Sequence, residues 1–142
     1  MEKKHTAYLA YGSNLGDKEH NIQCAYELTE QKVGRIAKCS SLMHSEPWGF
    51  KSANVFVNSV AEVETTLSPH ELLNATQSIE REMGRTRKSK NGEYHDRIID
   101  IDILLYDDIQ INEPGLIIPH PLMRERDFVM IPLKEIYDIT QS

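Results

Sequence analysis

The stretch Ile98-Ile99-Asp100-Ile101-Asp102-Ile103-Leu104-Leu105 constrains this chain more than any other. It is short and rich in β-branched residues, which predicts a strand over 98–106. Its apolar richness predicts a central place in a sheet. Side chains alternate along a strand, so Asp100 and Asp102 share one face while Ile99, Ile101 and Ile103 share the other. Two steps of about 3.3 Å put the two aspartate Cα atoms roughly 6.6 Å apart. Carboxylates that close repel one another, and charge within an apolar strand needs compensation. A hard divalent cation would supply it, because Mg²⁺ is commonly held by one or two carboxylates together with substrate phosphates. The plainer alternative is an edge strand carrying two solvated acids.

The opposite charge sits just upstream. Residues 81–97 contain Arg81, Arg85, Arg87, Lys88, Lys90 and Arg97, six of the 16 basic residues in the chain. Acids in the same window are Glu82, Glu93 and Asp96. A basic loop is ordinarily solvated surface. One that leads into paired aspartates reads as a polyphosphate site, where guanidinium forks and a cation share the phosphate oxygens. A metal-dependent nucleotidyltransferase would use the same parts and stays open as the alternative. No G-x-x-x-x-G-K-[ST] or G-x-G-x-x-G is present, so side chains and metal must hold a triphosphate here. The six histidines show no H-x-x-x-H spacing, and zinc is not expected.

Composition narrows the partners. The formal net charge is −6, from 16 basic and 22 acidic residues, which argues against a nucleic-acid-coating protein. No apolar run approaches the ~20 residues of a membrane span. Ala7-Tyr8-Leu9-Ala10-Tyr11 is too brief for a secretory signal core, so a cytoplasmic protein is expected. Cys24 and Cys39 form no CxxC and are expected to be reduced, partly buried thiols.

One domain over 1–142 is expected, with no repeat or linker. Residues 7–11 predict a strand, and Gly12 to Asp17 a turn with Asp17 as N-cap. A helix over 18–32 would bury Ile22, Ala25, Tyr26 and Thr29. Residues 35–44 are weakly strand-like. From Val55 to Glu64, Val55, Val57, Ser59, Ala61 and Val63 alternate with Phe56, Asn58, Val60 and Glu62, which predicts a strand. Ser68-Pro69-x-Glu71 is a capping box with Pro at the first helical position. Leu72, Thr76, Ile79 and Met83 would line that helix, and Gly84 would end it. Pro119 to Glu135 reads as turn, short helix and closing segment. The order strand, helix, strand, strand, helix, strand predicts an α+β fold: a ferredoxin-like antiparallel sheet with helices packed mainly on one face.

Two further clusters suit a flat polar ligand. One is Ser45-Glu46-Pro47-Trp48-Gly49-Phe50 with Phe56-Val57-Asn58; the other runs from His120 to Phe128. Aromatic faces can sandwich a planar heterocycle, and an Asn amide can bond its edge. Taken singly, each aromatic fits an ordinary core better than a ligand site.

In order along the chain, these segments resemble the 6-hydroxymethyl-7,8-dihydropterin pyrophosphokinase family of folate biosynthesis. The resemblance rests on Ala-Tyr-Leu-Ala-Tyr-Gly-Ser-Asn-Leu-Gly at 7–16, Ser-Glu-Pro-Trp-Gly at 45–49, Phe-Val-Asn at 56–58, and Glu71-Leu72-Leu73 with Gln77-x-x-Glu80. It continues through Gly84-Arg85-x-Arg87, Arg97-x-x-Asp100-Ile101-Asp102-Ile103-Leu104 and His120-x-x-Met123-x-x-Arg126-x-Phe128. Tyr94-His95-Asp96 stands where the family has an aromatic followed by Gly-Pro, Glu46 where Pro is common, and Phe56 where Tyr is common.

The resemblance implies a ferredoxin-like ATP-dependent diphosphotransferase. It would move pyrophosphate from ATP to the hydroxymethyl group of the reduced pterin and release AMP. It implies two Mg²⁺ ions on Asp100 and Asp102, with Arg85 and Arg97 acting with them on the transferring phosphates. ATP would lie among Leu73, Gln77, Glu80, Arg87, Tyr94, Arg97, Ile103, His120 and Arg126. The pterin would lie among Ser45, Glu46, Trp48, Phe56, Asn58, Asp100 and Phe128. The expected partners are these small molecules, with no nucleic acid or membrane, acting on a monomer.

Overall fold

The structure, a computed structural model, describes residues 3–45, 55–84 and 98–137. In chain order the elements are β1 (His5–Ser13), α1 (Lys18–Lys32), β2 (Gly34–Cys39), β3 (Met43–Ser45), β4 (Phe56–Thr65), α2 (Pro69–Glu82), β5 (Asp100–Tyr106), β6 (Ile111–Glu113), β7 (Leu116–Ile118) and α3 (Asp127–Ile136). The main sheet runs β2-β4-β1-β5, with β3 also paired to β4. All of its pairings are antiparallel. Strands β2 and β3 follow one another along the same edge of β4, which spans Met43↔Asn58 and Gly34↔Thr65. Ser40 bridges the break: its N–H donates to Val60 O at 2.8 Å, and its Oγ accepts from Val60 N at 2.9 Å. With β2 and β3 counted as one bent strand, order and connectivity are ferredoxin-like. Strands β6 and β7 form a separate hairpin.

Two apolar cores flank the sheet. On one face, Ala7, Leu9 and Tyr11 of β1 join Ile99, Ile101 and Ile103 beneath Ile22 and Ala25 of α1 and Leu72 and Ile79 of α2. On the other, Tyr8, Ala10, Val60 and Leu104 meet Val129, Met130 and Leu133 of α3. The helices begin where local chemistry dictates. The Asp17 side chain accepts from His20 N, and Ser68 with Glu71 forms the full reciprocal box. Gly84 stops the chain after α2 at φ +103°, a conformation side chains rarely adopt. The Asn21 amide donates to Leu15 O at 2.8 Å and Ser13 Oγ at 3.2 Å, fixing the turn from β1 into α1.

Three expectations need correction. The first strand reaches Ser13, so Gly12 lies in the sheet and the turn begins later. Among the described residues, β5 is an edge strand and not a central one. It reads as apolar because Ile101 and Ile103 are buried on one face and Leu104 on the other, and its outer edge is occupied too: Ile101 N–H donates to Glu80 Oε2 at 2.8 Å, and Leu104 O accepts from His120 N at 3.0 Å. Cys24 is half-buried, but Cys39 is exposed; both are free.

Candidate active site

Register across β4, β1 and β5 sets side chains in rows. Asn58 pairs with Gly12, and Gly12 with Asp100; one step along, Val60 pairs with Ala10, and Ala10 with Asp102. Ala10 and Val60 face α3. By strand alternation, Phe56, Asn58, Asp100 and Asp102 share that face. The apolar half of the face is covered by α3, and the polar half lies beyond the helix start at Asp127.

The acid pair opens into a cleft of about 350 Å³ that wraps the outer edge of β5. Leu73, Thr76, Gln77 and Glu80 of α2 form one wall. These positions follow a 3–4 spacing, so one side of the helix faces the cleft while Leu72 and Ile79 remain in the core. Asp100, Ile101 and Asp102 form the floor, with Gly115, His120 and Arg126 opposite. Edge placement is what gives a ligand access to both carboxylates from the side.

Glu80 is buried at 6 % exposure, and its carboxylate accepts the Ile101 N–H between the two aspartates. That bond fixes the backbone from which both project. Leu122 N donates to His120 Nδ1 at 3.2 Å, which requires a lone pair on Nδ1. The neutral ring therefore carries its proton on Nε2. Burial lowers the His120 pKa, and the Arg126 guanidinium lowers it further, against a smaller upward pull from Asp100. His120 thus presents a neutral donor. Arg126 places its guanidinium 5.7 Å from the Phe128 ring centroid, linking the cleft to the aromatic residue at the start of α3.

Of the expected site residues, Asp100, Asp102, Leu73, Gln77, Glu80, His120 and Arg126 meet around one cleft. Phe56 and Asn58 flank Gly12 on the same sheet face. Ser45 is paired with Phe56 at the end of β3. Ile103 does not join them, because its odd position turns its side chain into the core beneath α1 and α2. Arg85, Arg87, Tyr94, Arg97, Glu46 and Trp48 lie outside the described residues. Sequence reasoning missed Thr76, Ile101 and Gly115 as lining residues. Thr76 was within reach, since 73, 76, 77 and 80 share the spacing of one helix stripe. Gly115, at the tip of the β6–β7 hairpin, carries no chemical signal.

The donor set suits Mg²⁺. Two carboxylates project from one face of a held strand, and hard oxygen ligands are what this ion takes. Among the described residues no group of three or more His, Cys, Asp or Glu side chains could hold a metal. An ion that shares its coordination with phosphate oxygens and water needs no third protein ligand.

Paired acids, a neutral histidine donor and a guanidinium around one cleft are the equipment of enzymes that handle phosphates. The sequence matches the family described as 7,8-dihydro-6-hydroxymethylpterin-pyrophosphokinase (HPPK) over residues 8–138. It is 47% identical over 130 residues to a 2-amino-4-hydroxy-6-hydroxymethyldihydropteridine pyrophosphokinase of Porphyromonas gingivalis, covering 91% of this chain and 88% of that protein. The like-named Bacillus subtilis protein is 44% identical over 131 residues, covering 92% of this chain and 77% of that one. Among solved structures, Plasmodium falciparum HPPK-DHPS (a triple mutant with STZ-DHP) superposes with a TM-score of 0.74 at 15% identity. The match covers 96% of this chain but 40% of that longer one, and it supports the fold. The chain belongs to the HPPK family. Among the described residues no helix is long and apolar enough to cross a membrane.

Proposed function

We propose that this chain transfers the terminal pyrophosphate of ATP to the hydroxymethyl group of 6-hydroxymethyl-7,8-dihydropterin, releasing AMP, within folate biosynthesis. The observation that carries this reading is the row Asn58–Gly12–Asp100. A group suited to a heterocycle edge and a group suited to a cation stand two strand spacings apart, roughly 10 Å, on one sheet face. Family membership agrees with it.

The pterin ring stacks between Phe56 and Phe128, with its polar edge on Asn58 and with Ser45, Glu46 and Trp48 completing its pocket. ATP occupies the cleft, with its base side toward Leu73 and Gln77 and its phosphates toward His120 and Arg126. Asp100 and Asp102 would hold two Mg²⁺ ions, which would neutralise the charge of the triphosphate and polarise the attacking hydroxyl. The pterin oxygen forms a bond to the β-phosphorus as the bond from that phosphorus to the AMP oxygen breaks, and the hydroxyl proton is released. His120 Nε2–H and Arg126 donate to oxygens on which charge builds. Arg85 and Arg97 act on the same phosphates, and Arg87 and Tyr94 bind the ATP. The remaining contribution is in-line positioning of the two substrates. The protein acts as a cytoplasmic monomer on these small molecules.

Separating the nucleotides formed from ATP, with and without the reduced pterin alcohol, tests the reading. AMP should appear only with the pterin, in equal amount to a pterin diphosphate. Released inorganic pyrophosphate would indicate nucleotidyl transfer, and ADP an ordinary kinase; either contradicts the proposal.

A further inference from the structure

Gly12 stands in the middle of the row, between Asn58 on β4 and Asp100 on β5. Its backbone needs no glycine: it lies inside β1 and is absent from the residues of positive φ. What it lacks is a side chain pointing at the ligand face. A Cβ at this position would lie 3.1 Å from Asn58 Oδ1 and 3.5 Å from Phe56 Cδ1. Both neighbours are groups assigned above to the pterin. The Asn58 amide is itself held, with Nδ2 turned toward Met43 O at 3.4 Å and Oδ1 over Gly12. Its residue is 5 % exposed, so it has little room to retreat. Glycine weakens a strand interior, and its use there marks a place where something approaches the backbone closely. Ala10, its neighbour on the same face, carries a side chain packed beneath α3. Gly12 is buried too, and the room its side chain would take is filled by Asn58 Oδ1 and the Phe56 ring.

We infer that Gly12 is a positioning residue for the flat substrate: its missing side chain lets Asn58 and Phe56 close over the strand, and so sets where a fused-ring heterocycle meets them, with its one-carbon arm directed at Asp100. The inference rests on the pterin reading and extends it. The position sets where the ring sits, and so whether its hydroxyl reaches the carboxylate pair. A single methyl there would push Asn58 Oδ1 and the Phe56 ring aside, shift the heterocycle with them and withdraw the hydroxyl from the phosphorus. ATP, bound around the edge of β5, would not touch it.

The test compares wild type with Gly12→Ala by calorimetric titration of the reduced pterin alcohol and, separately, of a non-hydrolysable Mg-ATP analogue, alongside thermal melts. One added methyl in a fitted pocket costs about tenfold to a hundredfold in affinity. The pterin Kd should rise by that factor with the nucleotide Kd and the melting temperature unchanged. Unchanged pterin affinity, or equal loss for both ligands, overturns the inference. Should the variant not fold, the wild-type protein still decides. The Gly12 amide signal in a ¹⁵N spectrum should shift with pterin alone and not with nucleotide alone; a Gly12 signal indifferent to saturating pterin overturns the inference. Wild type that makes AMP from ATP and pterin while Gly12→Ala binds normally removes only this inference. Wild type that makes none removes the functional reading and this inference together.

Discussion

The two faces of the sheet are built from the same strands, yet they are put to different uses. Beneath α1 and α2, β1 and β5 supply Leu9, Tyr11, Ile101 and Ile103, all buried. On the other face the same strands supply Ala10, Gly12, Asp100 and Asp102, and only the rows beneath α3 are apolar. One face carries most of the stability. The other divides into a small core and a polar surface whose carboxylates would be costly without a ligand to meet them. A sheet can hold a charged site on one side because the opposite side alone fixes its register. A one-residue slip in β5 would bury both aspartates and expose the isoleucines, so the apolar face enforces the geometry of the polar one.

That division is open to direct attack. Asp102→Ala should lower turnover by about a hundredfold to a thousandfold, with the melting temperature within a few degrees of wild type. A comparable loss of folding would show that the polar face is structural. Leu72→Ala, on the fully buried side of α2, should do the reverse. Denaturant unfolding should show a cost of about 2–5 kcal/mol, with AMP production per folded molecule unchanged. Phe128→Ala should weaken pterin binding by roughly tenfold, as loss of one stacking partner does, with nucleotide affinity retained. Equal losses in paired titrations would place Phe128 in the small core instead.

The smallest effect is expected at the far end of β1, away from both uses. Asp107 accepts from Thr6 N at 2.8 Å and sits 2.7 Å from His5 Nδ1. Partial burial pushes its carboxyl up, but the Thr6 N–H and the His5 ring outweigh that, and the net shift is downward. A depressed folded pKa gives stability that is present above the unfolded value, near 3.9, and lost as pH falls through the folded one. Asp107→Asn keeps the acceptor for Thr6 and removes the charge. It should cost about 0.5 kcal/mol at neutral pH, a gap that closes in acid unfolding curves below the carboxylate range. A gap that persists there would assign the effect to packing.

Much of this was legible where chemistry is local. The Ser68–Glu71 box, the Asp17 cap, the Gly84 stop and the alternation through β4 all act within a few residues, and the structure has each one. The facing of Asp100 and Asp102 follows from strand period alone. Edge position does not, because an edge strand covered by Glu80 and by the segment carrying His120 looks as apolar as a central one. Helix α3, the short helix expected within Pro119 to Glu135, has ten residues and carries Pro132 inside it. Proline removes a backbone donor and reads as a break, but here burial of Val129, Met130 and Leu133 holds the helix through it. The role of Gly12 could not be read at all. Only the register, which brings Asn58 and Asp100 to its two sides, gives that glycine a meaning.

The most direct measurement is ATP affinity as a function of Mg²⁺ concentration, in wild type and in Asp102→Ala. Wild type should bind ATP progressively more tightly as Mg²⁺ rises, and the variant should lose that dependence while still folding. A variant whose ATP affinity still climbs with Mg²⁺, and which still makes AMP at the normal rate, would mean that the acid pair on β5 does not hold the cation.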